Sequence, residues 1–200
     1  MSDRRGQRGD SGLSLLEFVL VLPFVLLIVF GTIEGGAAFV AGDRVAGAAA
    51  QAARIGAAGG SRAEADRDLL VALRATLPPG ELTRLDRVVV FKPAGADGSI
   101  PDGCIKGRGD VSEQGTASCN SYTGDTVRNV TAGSMLGFGG TSGTKDRWWP
   151  PALRRDTLSQ DPDYLGVWVR TVHHGVLGVV FRDVAVTRTS IVRIQPDLAG

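Results

Sequence analysis

The chain begins with a polar segment and then changes abruptly to an apolar one. Residues 1–12 are polar and basic, whereas residues 13–33 are apolar apart from a single charged residue. A helix over residues 13–33 would span about 31 Å, which matches the roughly 30 Å hydrocarbon core of a bilayer. No other stretch is as long, so the pattern predicts one transmembrane helix. Because arginines precede it, the N-terminus is expected in the cytoplasm and the C-terminal bulk outside.

The residues that follow the apolar run predict that the helix continues. Residues 34–58 lack proline and are dominated by alanine and glycine. Small residues recur every three or four positions, a spacing that lets helix backbones approach closely. The members of this stripe that we assign to helix packing are Gly31, Gly35, Ala38 and Gly42. We favour packing against helices of other subunits over packing on the chain's own domain, although both can occur on different faces.

Beyond Gly59 and Gly60 the pattern becomes that of a small mixed domain. Ser61 and Glu64 have the spacing of a capping box, which predicts a helix over residues 61–77. Valine-rich alternation predicts strands over residues 85–92, 165–172 and 184–189, the last extended to 195, and the apolar residues 173–181 are expected to cover the sheet. Residues 95–163 look loop-rich.

The predicted fold class is therefore α+β. A long N-terminal transmembrane helix continues into an extracytoplasmic helix, and a small antiparallel-sheet head follows over residues 61–200. The two cysteines, Cys104 and Cys119, both fall in this head. Two cysteines cannot complete a zinc site, and an extracytoplasmic location is oxidising, so we predict a disulfide between them.

Glu17 lies near the start of the apolar run and has no basic residue nearby to pair with. An acidic residue inside a membrane-spanning helix is costly and is by default a functional candidate whose partner should be sought. A location in the headgroup layer, where the cost is small, is the alternative.

The residues around Glu17 resemble a known processing signal. A short basic leader ends at Gly12, the hydrophobic helix begins at Leu13, and Glu17 is the fifth residue after Gly12 and is followed by Phe18. This pattern resembles the class III prepilin signal, in the form found in Flp/Tad pilins. With the helical segment that follows and its Arg54-Ile55-Gly56, the chain is similar to the TadE-like pseudopilins. The resemblance is specific over about residues 9–60, weaker over residues 164–196, where it includes a terminal Arg193-x-x-Pro196, and absent between them.

The resemblance implies a function in pilus assembly. A prepilin peptidase would cleave between Gly12 and Leu13, which makes residues 1–12 a leader. The new α-amine of Leu13 would then pair with Glu17 of a neighbouring subunit, beside Phe18. The implied partners are the peptidase, other pilins, Tad assembly membrane proteins and membrane lipid. The implied location is the cytoplasmic membrane, with incorporation into a surface pilus.

Composition and motifs provide no support for an enzyme. The 22 Lys and Arg residues balance 21 Asp and Glu, a net charge of +1, which gives no reason to expect nucleic-acid binding. His173 and His174 are adjacent and would point to opposite faces of a strand, so they do not suggest a metal pair or a catalytic triad. We expect no catalytic residue, no metal and no cofactor.

Two other functions compete with the pilin interpretation. The first is a single-pass anchor that carries an extracytoplasmic binding domain and has no role in a polymer. The second is a secreted enzyme released by signal peptidase, but the apolar run is longer than the usual signal-peptide core and holds an acid near its start.

Overall fold

The computed structural model describes residues 10–93, 98–106, 118–134, 137–139, 145–157, 161–174 and 183–196. Its helices are α1 (Asp10–Gly59), α2 (Ala65–Thr76), α3 (Pro79–Thr83), α4 (Asp102–Lys106) and α5 (Gly124–Asn129), with a 3-10 turn at Pro151–Leu153. Its strands are β1 (Leu85–Phe91), β2 (Cys119–Thr123), β3 (Tyr164–His174) and β4 (Asp183–Arg193).

The chain forms two compact units. The first comprises residues 1–39 and 174–184, and the second comprises residues 40–173 and 185–200. In the first unit, the described residues are mainly helical and expose large apolar side chains. The second unit is the packed head described below.

The four strands form one open sheet in the order β2-β1-β3-β4. β1 is antiparallel to both of its neighbours, and Val89 is paired with Ser121 on one side and with Trp168 on the other. An irregularity between Leu85 and Arg87 shifts the register of β1 against β3. The α+β class predicted from the sequence is confirmed.

Both faces of the sheet are covered, which explains the run of three valines in β1. Val88 and Val90 belong to a core shared with the second half of α1 and with α2. Val89 and Phe91 point the other way, because successive strand residues alternate between faces. They pack in a second cluster with Trp168 and the two cysteines.

The main core is built from small residues of α1 against larger ones from α2 and the sheet. Ala48, Ala52 and Leu73 are fully buried in it. Gly56 also allows close approach, since a β-carbon there would come within 2.5 Å of Leu69 Cδ1. Trp149 also belongs to this core and has 3% of its surface exposed.

The predicted start of the second helix is wrong. α2 begins at Ala65, and Glu64 at its N-cap makes no capping hydrogen bond with its side chain. Gly60 adopts a positive φ of 52°, which ends α1 in a turn, and the Ser61 N–H donates to Asp156 Oδ2 at 2.8 Å. The backbone group that the capping box would have satisfied is therefore bound by a residue 95 positions away.

The predicted loop over residues 95–163 contains regular structure. β2 lies in it and forms one edge of the sheet, and α4 and α5 are short helices. The sequence of β2, Cys-Asn-Ser-Tyr-Thr, lacks aliphatic residues, which is why the valine-based pattern missed it. β3 is longer than predicted, whereas β4 begins one residue earlier than predicted and ends at Arg193, two residues before the predicted end. Most of the apolar segment expected to cover the sheet lies outside the described residues.

Candidate membrane and subunit interface

The first half of α1 exposes its large apolar side chains. Leu20, Phe24 and Ile28 have 63%, 70% and 66% of their surface exposed. Within the described part of the chain, Leu15–Gly59 is the one helix long and apolar enough to cross a membrane. A contiguous apolar surface of this kind is unfavourable in water and needs lipid or protein around it. The long apolar helix therefore indicates a single-pass membrane anchor.

Glu17 and Phe18 lie on this exposed helix. Phe18 is 63% exposed and Glu17 is also exposed. Among the described residues, Glu17 makes no hydrogen bond or ion pair. The carboxylate is thus placed where a group from another molecule could reach it.

The predicted cleavage point lies in the first turn of α1. The backbone of Gly12 and Leu13 is helical, while the side chains of residues 11–14 are outside the described set. The distance from Gly12 to Glu17 is therefore a little more than one helical turn along the same helix.

The glycines of the predicted packing stripe have different surroundings. A β-carbon added at Gly31 or Gly35 would meet no atom within 4 Å. Ala38 is half-buried. Gly42, by contrast, is covered by the guanidinium of Arg188 on β4. Gly42 thus has a neighbour within its own head, whereas Gly31 and Gly35 have open space beside them.

Cys104 and Cys119 form the predicted disulfide, with their Cα atoms 6.1 Å apart. Both cysteines are fully buried in the second core cluster. The bond links α4 to the first residue of β2, so it fixes the edge strand to α4. Its burial protects it from solvent thiols, which suits a structural bond.

A buried polar cluster that the sequence analysis did not anticipate joins α2 to β2 and to residues 149–154. Asp66 is fully buried and accepts hydrogen bonds from Tyr122 Oη at 2.5 Å and Asn120 Nδ2 at 2.8 Å. Arg154 Nη2 forms an ion pair with the other carboxylate oxygen at 2.6 Å. The Arg154 guanidinium also stacks 4.3 Å from the centre of the Trp149 ring.

The cluster is held in one arrangement by reciprocal bonds. The backbone N–H of Trp149 donates to Asn120 Oδ1, and Asn120 Nδ2 donates to the backbone carbonyl of Trp149, each at 2.9 Å. Burial, together with the neighbouring Asp66 carboxylate, raises the pKa of Tyr122 well above its usual value. Tyr122 is therefore a neutral hydrogen-bond donor in this cluster. No sequence signal marked these residues, since they are 88 positions apart at the extremes.

A second ionic cluster surrounds Asp163. Its carboxylate binds Lys92 Nζ at 3.0 Å and Arg155 Nη2 at 2.7 Å, and it accepts a hydrogen bond from the Arg155 backbone N–H. Burial opposes ionisation of Asp163, but the bonds from Arg155 and Lys92 prevail and lower the pKa of this carboxyl.

His173 has a polar contact within the head. His173 is buried near the end of β3, and its Nδ1 lies 3.2 Å from Arg84 Nη1. Because arginine can only donate, Nδ1 is the acceptor in this contact. The side chain of His174 is outside the described set. Within the described residues, no three His, Cys, Asp or Glu side chains are grouped so that they could hold a metal ion.

The described architecture is that of a membrane-anchored chain with an α+β head. A family model for TadE-like protein matches residues 12–54, which include every residue assigned above to cleavage, pairing and helix packing. The resemblance found in the sequence is confirmed over that segment. No curated protein and no solved structure matches the chain.

Proposed function

We propose that this chain is a minor pilin, or pseudopilin, of a Flp/Tad-type pilus. It is processed by a prepilin peptidase between Gly12 and Leu13 and takes part in pilus assembly. The observation that carries the proposal is the TadE-like match over residues 12–54, which coincides with an exposed apolar helix that holds Glu17. The matched helix, and not the head, is the functional part in this account.

Cleavage would provide the partner that Glu17 lacks. The new α-amine of Leu13 carries a positive charge at the membrane face, and Glu17 of a neighbouring subunit is exposed to receive it. An ion pair formed away from water is strong enough to select one axial register between helices, because a displaced register leaves both charges unpaired. Phe18 would pack beside the pair.

Gly31, Gly35 and Ala38 support a close helix contact with another subunit. A glycine inside a helix costs about 1 kcal/mol relative to alanine, and among the described residues none occupies the space beside Gly31 or Gly35. A neighbouring helix that approaches closely would explain why these positions are small. Gly42 serves the fold of the head instead, through its contact with Arg188.

The proposed partners follow from this role. They are the prepilin peptidase, other pilins, Tad assembly membrane proteins and membrane lipid. The chain would reside in the cytoplasmic membrane with its N-terminus in the cytoplasm and its head outside, and it would enter a surface pilus. No cofactor and no catalysis are part of the proposal.

Substitution of Glu17 tests the pairing directly. Glu17→Gln keeps the size of the side chain and removes its charge, so membrane insertion should persist while recovery of partner pilins by co-purification falls. Glu64→Gln, which changes a glutamate of the head, is the matched control and should leave partner recovery unchanged. Equal partner recovery from the Glu17→Gln and wild-type chains would contradict the pairing mechanism.

The alternative is a single-pass anchored binding domain without a polymer role. The observation in its favour is that the second half of α1 packs in the chain's own core. This part of the helix therefore needs no neighbouring subunit to bury it. Under this alternative, Leu13 is never the N-terminal residue, and Glu17→Gln does not change the recovery of any partner.

A further inference from the structure

We propose that Arg87 and Arg170 form a binding site for a phosphate group on one face of the sheet. The two arginines are directly paired across the β1–β3 ladder. Side chains directly opposite each other in antiparallel strands lie on the same face, with their β-carbons about 5 Å apart. The ligand class is a phosphate, either free or in a phospholipid headgroup. The proposal is independent of the role in a pilus.

The face on which the two guanidinium groups lie follows from their strand neighbours. Val89 and Trp168, each two residues away, belong to the cluster that contains the disulfide. Since alternate strand residues share a face, Arg87 and Arg170 lie on this face as well, away from α1 and α2. Arg87 is half-buried, and the side chain of Arg170 is 43% exposed.

The contacts among the described residues leave the two positive charges incompletely compensated. Asp86, at the irregularity in β1, lies 3.5 Å from Arg170 Nε and is itself 44% exposed. Arg87 Nη1 donates to the Ile105 carbonyl at 3.3 Å, a neutral acceptor. Arg170 Nε is shielded from solvent and has no hydrogen-bond partner among the described residues. Among the described residues, the Asp86 carboxylate is therefore in ion-pair range of Arg170, whereas the recorded acceptor for Arg87 is neutral.

Like charges directly opposite in a sheet are destabilising, so an arrangement of this kind is expected where an anion is shared. Arginine binds phosphate through parallel N–H donors in a planar fork, and two arginines side by side provide two such forks. A phosphate between them would neutralise both charges and accept the hydrogen bonds that the chain does not provide.

The test is the thermal unfolding of the full chain in zwitterionic detergent, with sodium phosphate or sodium chloride at equal ionic strength. Phosphate should raise the melting temperature of the wild type above its value in chloride. Arg87→Gln and Arg170→Gln should each weaken phosphate binding by about tenfold or more, as expected for the loss of a charged hydrogen bond. Arg44→Gln, an exposed arginine of α1 outside the site, should bind phosphate like the wild type.

Removal of the repulsion provides a second readout. In chloride, Arg87→Gln should melt at or above the wild-type temperature, which also shows that the variant is folded. The proposal is overturned if phosphate gives the wild type no specific rise, or if the double variant keeps that rise.

Nanodiscs distinguish the two sources of phosphate. A higher melting temperature in discs with phosphatidylglycerol than in discs of phosphatidylcholine, without added phosphate, assigns the site to a lipid headgroup. Equal values in the two lipids, with a rise on addition of inorganic phosphate, assign the site to a free phosphate. No rise in either lipid and none with inorganic phosphate contradicts the proposal.

Discussion

The two halves of α1 differ in the size of their residues and in what surrounds them. Residues 15–40 place leucine, valine and phenylalanine side chains outward, with Phe24 at 70% exposure. In the second half, Ala48 and Ala52 are fully buried against the sheet and α2. The large apolar side chains of the first half are therefore exposed on the outside of the protein. The small side chains of the second half allow α2 and the sheet to pack closely against the helix. The same helix provides an apolar surface suited to a membrane in its first half and part of the hydrophobic core of the head in its second half.

This difference predicts that changes in the head alter its stability without altering membrane insertion. Changes in residues 15–40 should do the reverse. Substitutions in the head and in the apolar segment test this difference.

The largest expected effect is that of Asp66→Ala. It leaves the buried Arg154 guanidinium without its counter-ion, which is expected to lower the free energy of unfolding of the head by about 3–5 kcal/mol. Asp68→Ala, which removes a partly exposed carboxylate paired with Arg67, should cost less than about 1 kcal/mol. Denaturant unfolding followed by tryptophan fluorescence measures both. Equal effects would show that the buried cluster is not what fixes the head.

A leucine-to-alanine pair compares the two environments directly. Leu73→Ala removes a fully buried side chain of α2 and should destabilise the head by about 2–5 kcal/mol. Leu27→Ala, at a position that is 59% exposed in the apolar segment, should leave head unfolding unchanged. If Leu27→Ala destabilised the head as strongly as Leu73→Ala, the separation of the two regions would be wrong.

Removal of the disulfide should have an effect of similar or smaller size. Closing a loop of 15 residues stabilises a fold by about 3 kcal/mol in the chain-entropy model. Cys104→Ser with Cys119→Ser should therefore lower the head's unfolding free energy by about that amount, with membrane insertion retained. A change below about 0.5 kcal/mol would show that the bond adds nothing to the stability of the edge strand.

The smallest effects are expected at two glycines of α1, with opposite signs. Gly47→Ala adds a β-carbon in open space on an exposed face and should stabilise the helix by up to about 1 kcal/mol. Gly56→Ala places its β-carbon against Leu69 and should destabilise by about 1–3 kcal/mol through overpacking. Thermal unfolding of both variants in detergent measures the difference, and stabilisation by Gly56→Ala would contradict the packing described here.

The sequence was most informative where the pattern is local and long. The apolar run, the alanine-rich continuation and the valine-rich β1 follow from composition and periodicity, so the α+β class could be predicted. The prepilin-like motif around Gly12 and Glu17 also lies within a few residues. A short spacing of distinctive residues is readable without a structure.

Features that depend on distant contacts could not be predicted in this way. β2 pairs with β1, and its Asn120 and Tyr122 bind Asp66, more than fifty residues earlier in the chain, through contacts that no local pattern indicates. The capping box failed for the same reason, since Asp156 binds the Ser61 N–H from afar. Gly42 belonged to a plausible intersubunit stripe, but Arg188 of β4 covers it.

The N-terminus of the membrane-extracted protein tests the central claim most directly. The protein is extracted from cells that have an active prepilin peptidase, and its intact mass and N-terminal peptides are measured. A chain with a Gly12 substitution is treated in the same way. We predict that the wild-type chain begins at Leu13 and that the Gly12 variant keeps residues 1–12. A wild-type chain that retains residues 1–12 despite an active peptidase would contradict the pilin account and favour an anchored domain.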